Sequence, residues 1–132
     1  ARDLQEECKK NGHPWEIAKS FDQSALISEN FMDLNSLSKL NFSLLKNGEI
    51  VQESNANKMI FNIDQIISYV SNYITLKTGD LIFTGTPSGV GPIKIGDNLE
   101  GFINDKSMFK VNIKWVKILL ILDKIHSLVK NH

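Results

Sequence analysis

Thr84 and Thr86 sit at i and i+2 at the end of an apolar run and lead into Pro87-Ser88-Gly89-Val90-Gly91. On extended backbone such side chains point to the same side, so both hydroxyls face a common ligand. Gly85, Gly89 and Gly91 lack Cβ atoms, which permits positive φ and lets a ligand approach the main-chain N–H groups. Pro87 stiffens the segment. Donors of this kind hold a carboxylate or another oxyanion without spending a positive charge. The same residue types also make ordinary turns that bind nothing, and periodicity alone favours the turn. A nucleotide phosphate loop fits poorly, because G-x-x-x-x-G-K-[ST] needs a lysine after its last glycine and Gly91 is followed by Pro92.

Arg2 and Gln5, at i and i+3, share one face of a helix, where a guanidinium and an amide can converge on one ligand; a solvated face is the plain alternative. Lys19, between Ala18 and Ser20-Phe21, is placed to be partly buried with its charge directed inward, against the default of an exposed lysine. His13 reads as a surface loop residue and Cys8 as a structural thiol. No metal cluster emerges. Glu6 and Glu7 are adjacent and point apart on a helix, while Asp22, Asp80 and Asp97 belong to separate segments.

These residues need elements to hold them. Residues 2–10 form a helix with acids early and lysines late, stopped by Asn11-Gly12. Residues 14–22 are irregular, and 28–38 read as a loop. Leu40, Phe42 and Leu44 alternate with polar positions, Asn47-Gly48 supplies a hairpin turn, and 49–53 return. Asp64 caps a helix to about Tyr73, with Ile66, Ile67, Val70 and Ile74 as its apolar stripe. Lys77-Thr78-Gly79-Asp80 then turns into a buried strand at 81–83. Gly96-Asp97 marks another turn, and 99–103 and 108–116 read as strands. The apolar run 118–122 fits a strand or a helix. The expected organisation is one domain at 1–116 and a tail at 117–132.

The 132 residues are 42% hydrophobic and 23% charged, a soluble globular balance, and the net charge is zero. Nucleic acid and anionic membrane are therefore not expected as partners. The single cysteine excludes an internal disulfide and suits a reducing compartment, mitochondrial matrix or cytoplasm. No apolar run approaches the roughly 18–20 residues that span a bilayer. Because the chain opens at Ala1-Arg2-Asp3 within a helix and a motif, it is read as part of a longer polypeptide.

The string G-D-L-I-F-T-G-T-P-S-G-V-G-P over 79–92 resembles the signature of the fumarylacetoacetate hydrolase family. Other blocks keep the family's order: Arg2-Asp3-Leu4-Gln5 as R-D-x-Q, Trp15, Ala18-Lys19-Ser20-Phe21-Asp22, Asn47-Gly48 with Gln52-Glu53, and Met59-Ile60-Phe61. Cys8-Lys9-Lys10 and Pro14-Trp15 are most similar to its acylpyruvase branch, also described as decarboxylating and tautomerising oxaloacetate. The resemblance implies an α+β, mostly β fold: a mixed β-roll with short flanking helices, incomplete at the N-terminus and homodimeric in the full-length form. It implies a small 2-oxo acid substrate and one Mg²⁺ or Mn²⁺ that stabilises an enolate. Lys19 would offset negative charge near the metal as the catalytic lysine. Arg2 and Gln5 would orient substrate oxygens, and Thr86 with Gly85 would hold the terminal carboxylate. The family's metal ligands, an E-x-E pair and an aspartate, would precede Ala1, as would the lid's Glu-His pair. The chain alone is accordingly expected to be inactive. The alternative is a truncated paralogue that serves only as a structural or dimerisation partner.

Overall fold

A computed structural model describes residues 1–32 and 39–114. They fall into two compact units, the first Ala1–Phe31 and the second beginning at Met32. The expected tail, part of the 28–38 loop and residues 115–116 of the last expected strand lie outside the described residues.

In the first unit, α1 (Arg2–Asn11) carries Asp3 in its first turn and Lys9 and Lys10 in its last, charges that complement the helix dipole. It ends where Gly12 turns left-handed at φ 66°. There the Gly12 N–H donates to the Lys9 carbonyl at 3.3 Å and the His13 N–H to the Cys8 carbonyl at 2.8 Å, the paired bonds of a Schellman motif. α2 (Glu16–Lys19) is a single turn. Each helix buries one residue, Cys8 and Ala18 respectively. The Ala1 ammonium donates to the Ala18 carbonyl at 3.0 Å, and Lys9 Nζ lies 4.8 Å from the centre of the Trp15 ring.

The second unit is built on a four-stranded sheet in the order β2-β1-β3-β4, antiparallel throughout. The strands are β1 (Asn41–Lys46), β2 (Glu49–Asn55), β3 (Asn98–Ile103) and β4 (Lys106–Asn112). The first hairpin turns as expected, with Asn47 at φ 55° and Gly48 at φ 87°, the positive values that a two-residue hairpin turn demands. β2 pairs Gln52 with Leu44 but Ile50 with Leu45, so Val51 is an extra residue that bulges this edge strand. Gly101 pairs with Phe109, whose ring occupies the space a Cβ at Gly101 would need.

Four expectations need correction. α3 (Ile63–Ser71) is capped by Asn62, not Asp64: the Asn62 side chain accepts from the Gln65 N–H at 2.8 Å, and the Gln65 side chain accepts from the Asn62 N–H at 2.9 Å. Its less exposed face is Ile63, Ile66 and Val70, whereas Ile67 and Ile74 are exposed. Residues 81–83 form no strand; Leu81, Ile82 and Phe83 are 52%, 38% and 65% exposed. A strand needs a neighbour for its backbone donors and acceptors, and among the described residues none pairs with this segment. β4 stops at Asn112 because Ile113 turns to the 94–97 turn instead, donating to the Asp97 carbonyl and accepting from the Gly96 N–H, both at 2.8 Å.

Candidate functional site

Two turns of the same K-x-G-D pattern bracket the loop. In Lys77-Thr78-Gly79-Asp80 the Asp80 N–H donates to the Lys77 carbonyl at 3.1 Å, and the Asp80 carboxylate accepts from the Lys77 N–H at 2.7 Å. Lys94-Ile95-Gly96-Asp97 repeats both bonds at 3.0 and 2.7 Å. Gly79 and Gly96 take φ 97° and 92°, which a side chain would resist. The second turn is further fastened to the first hairpin. Asn47 Nδ2 donates to Asp97 Oδ1 at 2.9 Å, while Asn47 exchanges backbone and side-chain bonds with Asn98 at 2.8 Å each. The Asn47 amide, then the Lys94 N–H, hold the Asp97 carboxyl below its ordinary value, with smaller help from the Lys46 and Lys94 charges.

Between these turns, no backbone N–H of residues 81–93 finds an acceptor among the described residues. The segment is instead held from one side. Gln52 Nε2 donates to Thr86 Oγ1 at 2.9 Å, to the Pro87 carbonyl at 3.0 Å and to the Ser88 carbonyl at 3.4 Å. Gly89, at φ 97°, lies so close to the bulge that a Cβ would overlap the Val51 carbonyl oxygen. The bulge thus serves as a seat for the loop.

Beside the loop lies a half-open cavity of about 420 Å³. Thr84, Gly85 and Thr86 are among its lining residues, together with the apolar Phe42, Met59 and Ile66. Gly85 is at φ 94°. Both threonines border one space, although the backbone between them is not extended at Gly85, and Gly91 does not adopt positive φ. Lys58, exposed and in no ion pair among the described residues, is the one titratable side chain among those lining it. A lining of this composition, two threonine hydroxyls, apolar side chains and one lysine, suits an anion with a small apolar body.

Of the expected site residues, Gly85 and Thr86 belong to the second unit, and Arg2, Gln5 and Lys19 to the first. Arg2 is exposed and Gln5 half-buried on α1. Lys19 is not partly buried. It ends the single turn of α2 and is exposed, because the buried position of that turn is taken by its neighbour Ala18. Sequence reasoning gave no role to Gln52 or Lys58. Gln52 stands out only as part of the Gln52-Glu53 block that keeps the family's order, which assigns it no contact.

The fumarylacetoacetate hydrolase C-terminal model matches residues 1–128. This chain belongs to the fumarylacetoacetate hydrolase family. Among curated relatives of this family member, the mitochondrial oxaloacetate tautomerase FAHD1 of Mus musculus is 49% identical over 119 residues, 86% of this chain and 52% of the relative. The Homo sapiens protein of the same name is 50% identical over 109 residues, 79% of this chain and 48% of the relative. The chain therefore spans about half the length of the curated relatives it matches. Among solved structures, fumarylpyruvate hydrolase from Pseudomonas aeruginosa in complex with Mn²⁺ and pyruvate superposes with a TM-score of 0.81 at 35% identity, covering 87% of this chain and 50% of that one. A fumarylacetoacetate hydrolase family protein from Yersinia pestis gives 0.78 at 43% identity, covering 85% and 52%. The mostly β architecture with short helices is thus that of the family. No described helix is long and apolar enough to cross a membrane.

The Pseudomonas enzyme holds a divalent ion, which raises the question of whether this chain offers ligands for one. Among the described residues no three His, Cys, Asp or Glu side chains come together, and Asp80 and Asp97 are committed to their own turns. The described donor set does not fit a Mg²⁺ or Mn²⁺ ion, which takes several converging oxygens.

Proposed function

We propose that this chain is the carboxylate-holding half of an enzyme acting on small 2-oxo acids, by acylpyruvate C–C hydrolysis or by oxaloacetate decarboxylation or tautomerisation. The observation that carries the reading is the donor-rich loop of residues 84–91 beside an open cavity, in a chain about half identical to oxaloacetate tautomerases. Thr86 and the Gly85 N–H hold the substrate carboxylate. Arg2 and Gln5 orient its oxo group, and Lys19 offsets charge that develops on the enolate. Mg²⁺ or Mn²⁺, ligated by groups beyond the described residues, belongs to the complete enzyme, a homodimer of the mitochondrial matrix or cytoplasm.

Pyruvate titrated into the 132-residue chain, followed by amide resonances, tests the site. The Gly85 and Thr86 resonances are expected to move, and Thr86→Val to weaken binding about 10- to 100-fold, the worth of one hydrogen bond to a charged group. The chain alone is expected not to turn over oxaloacetate in the presence of Mg²⁺ or Mn²⁺. Unmoved loop resonances at saturating pyruvate would remove the reading.

A second reading, a paralogue that pairs without catalysing, is favoured by the apolar side chains left exposed, among them Ile60 at 91% and Phe61 at 62%. It predicts self-association with no pyruvate response, so the same titration separates the two.

A further inference from the structure

The Pro87 and Ser88 carbonyl oxygens can only accept hydrogen bonds, so the end of the Gln52 side chain that faces them, at 3.0 and 3.4 Å, is its NH₂ group. That group carries hydrogens and no free acceptor. The Thr86 oxygen 2.9 Å from the same nitrogen must then be accepting. A hydroxyl that accepts through a lone pair still has its own proton to place. Among the described residues Thr86 Oγ1 donates to nothing, and the space it borders is the cavity.

We infer that Gln52 is a positioning residue: by donating to Thr86 Oγ1 it fixes that hydroxyl as a donor toward the cavity, and so makes the loop select a carboxylate over a neutral amide of the same shape. A carboxylate offers acceptors only, whereas a carboxamide also presents NH₂ hydrogens, which a free threonine hydroxyl would accept. With its proton aimed at the cavity and one lone pair held by Gln52, Thr86 meets a carboxamide well only through the carboxamide oxygen, whereas either oxygen of a carboxylate serves. Discrimination of this kind comes from leaving the wrong partner unsatisfied rather than from a stronger bond to the right one. The inference rests on the proposed substrate reading for its ligand. It rests on hydrogen-bond geometry alone for the direction of the proton.

The experiment uses the full chain and two probes, pyruvate and pyruvamide, with wild type, Gln52→Met, Thr86→Val and Thr86→Ser. The wild type is expected to bind pyruvate about tenfold more tightly than pyruvamide. Gln52→Met, which leaves the threonine free to rotate, is expected to reduce that ratio to about two, whatever it does to overall affinity. Independently of any ligand, one Gln52 side-chain NH₂ proton should shift upfield in Thr86→Val and return in Thr86→Ser. Equal weakening of both probes in Gln52→Met, with the ratio intact, reduces Gln52 to a mechanical staple and overturns the inference. A Gln52 amide signal that ignores Thr86→Val overturns it even if Gln52→Met does not fold. Amide signals that respond as expected in a wild type that binds neither probe support the hydroxyl orientation and sink the substrate reading instead.

Discussion

The chain makes one turn twice and treats the copies differently. Both the 77–80 and the 94–97 turn place an aspartate where it accepts from the N–H of the lysine three residues back, at 2.7 Å in each. At the entry to the loop, among the described residues, no hydrogen bond ties the turn to another segment. At the exit, the second carboxylate oxygen accepts from Asn47, and neighbouring backbone groups are taken up by Ile113 and, at Asn98, by Asn47. The exit turn is tied to two other segments of the chain and belongs to the scaffold. Among the described residues the loop between the turns is fastened at Gln52 and Gly89, with Lys46 on the Pro92 carbonyl, and its backbone donors and the Thr86 proton are left over. Similar turn-forming residues thus build a structural joint where their polar groups pair with each other, and a binding surface where they do not.

The sharpest way to break the contrast is Gly89→Ala. An added Cβ meets the Val51 carbonyl, a backbone atom that cannot swing aside, and the residue must also hold φ 97°. Loss of stability on the order of 2–4 kcal/mol is expected, together with loss of the pyruvate response. Chemical denaturation checks the first and titration the second. Unchanged stability would mean the loop is not seated on the bulge.

The next largest effect separates the twin turns. An amide has one acceptor oxygen, so Asp80→Asn can still accept from Lys77 and should be nearly silent in thermal unfolding. Asp97→Asn cannot accept from both Lys94 and Asn47; its NH₂ would face the Asn47 NH₂, and the midpoint should fall clearly. The pH dependence follows the same bond. Because the folded state lowers the Asp97 pKa, its contribution is fully present above the unfolded value of about 3.9 and is lost as pH falls through the folded one. Asp97→Asn should flatten that acid limb. Equal effects of the two substitutions would erase the distinction between joint and loop.

What was legible beforehand follows the range of the interaction. Asn47-Gly48 and Asn11-Gly12 announce their turns because the need for positive φ is local, and both appear where expected. The loop's threonines border one cavity, but the two-residue spacing does not explain it, because Gly85 between them is at φ 94° and not extended. Asn62 and Asp64 are both good capping types two positions apart, so composition does not choose between them; the reciprocal bond with Gln65 does. Residues 81–83 have strand composition, but pairing is decided by neighbours elsewhere in the chain. Gln52 reaches Thr86 across 34 positions, and no periodicity signals a contact of that range. Lys19 has apolar neighbours in sequence, yet a single helical turn gives the buried place to Ala18.

The smallest effect comes from Lys46→Met, which tests what fastens the exit. Lys46 Nζ donates to the Pro92 carbonyl at 3.3 Å in an exposed position, and its charge is a minor cause of the lowered Asp97 pKa, behind the Asn47 amide and the Lys94 N–H. An exposed bond of this length contributes no more than about 0.5 kcal/mol, so stability at neutral pH should barely change. The Asp97 carboxyl, read through the Asn47 side-chain amide resonances during a pH titration, should protonate at slightly higher pH and remain below the ordinary value. If removing this one charge instead returned Asp97 to the ordinary range, the joint would be held by long-range charge rather than by the Asn47 amide. Its difference from the entry turn would then disappear at high salt.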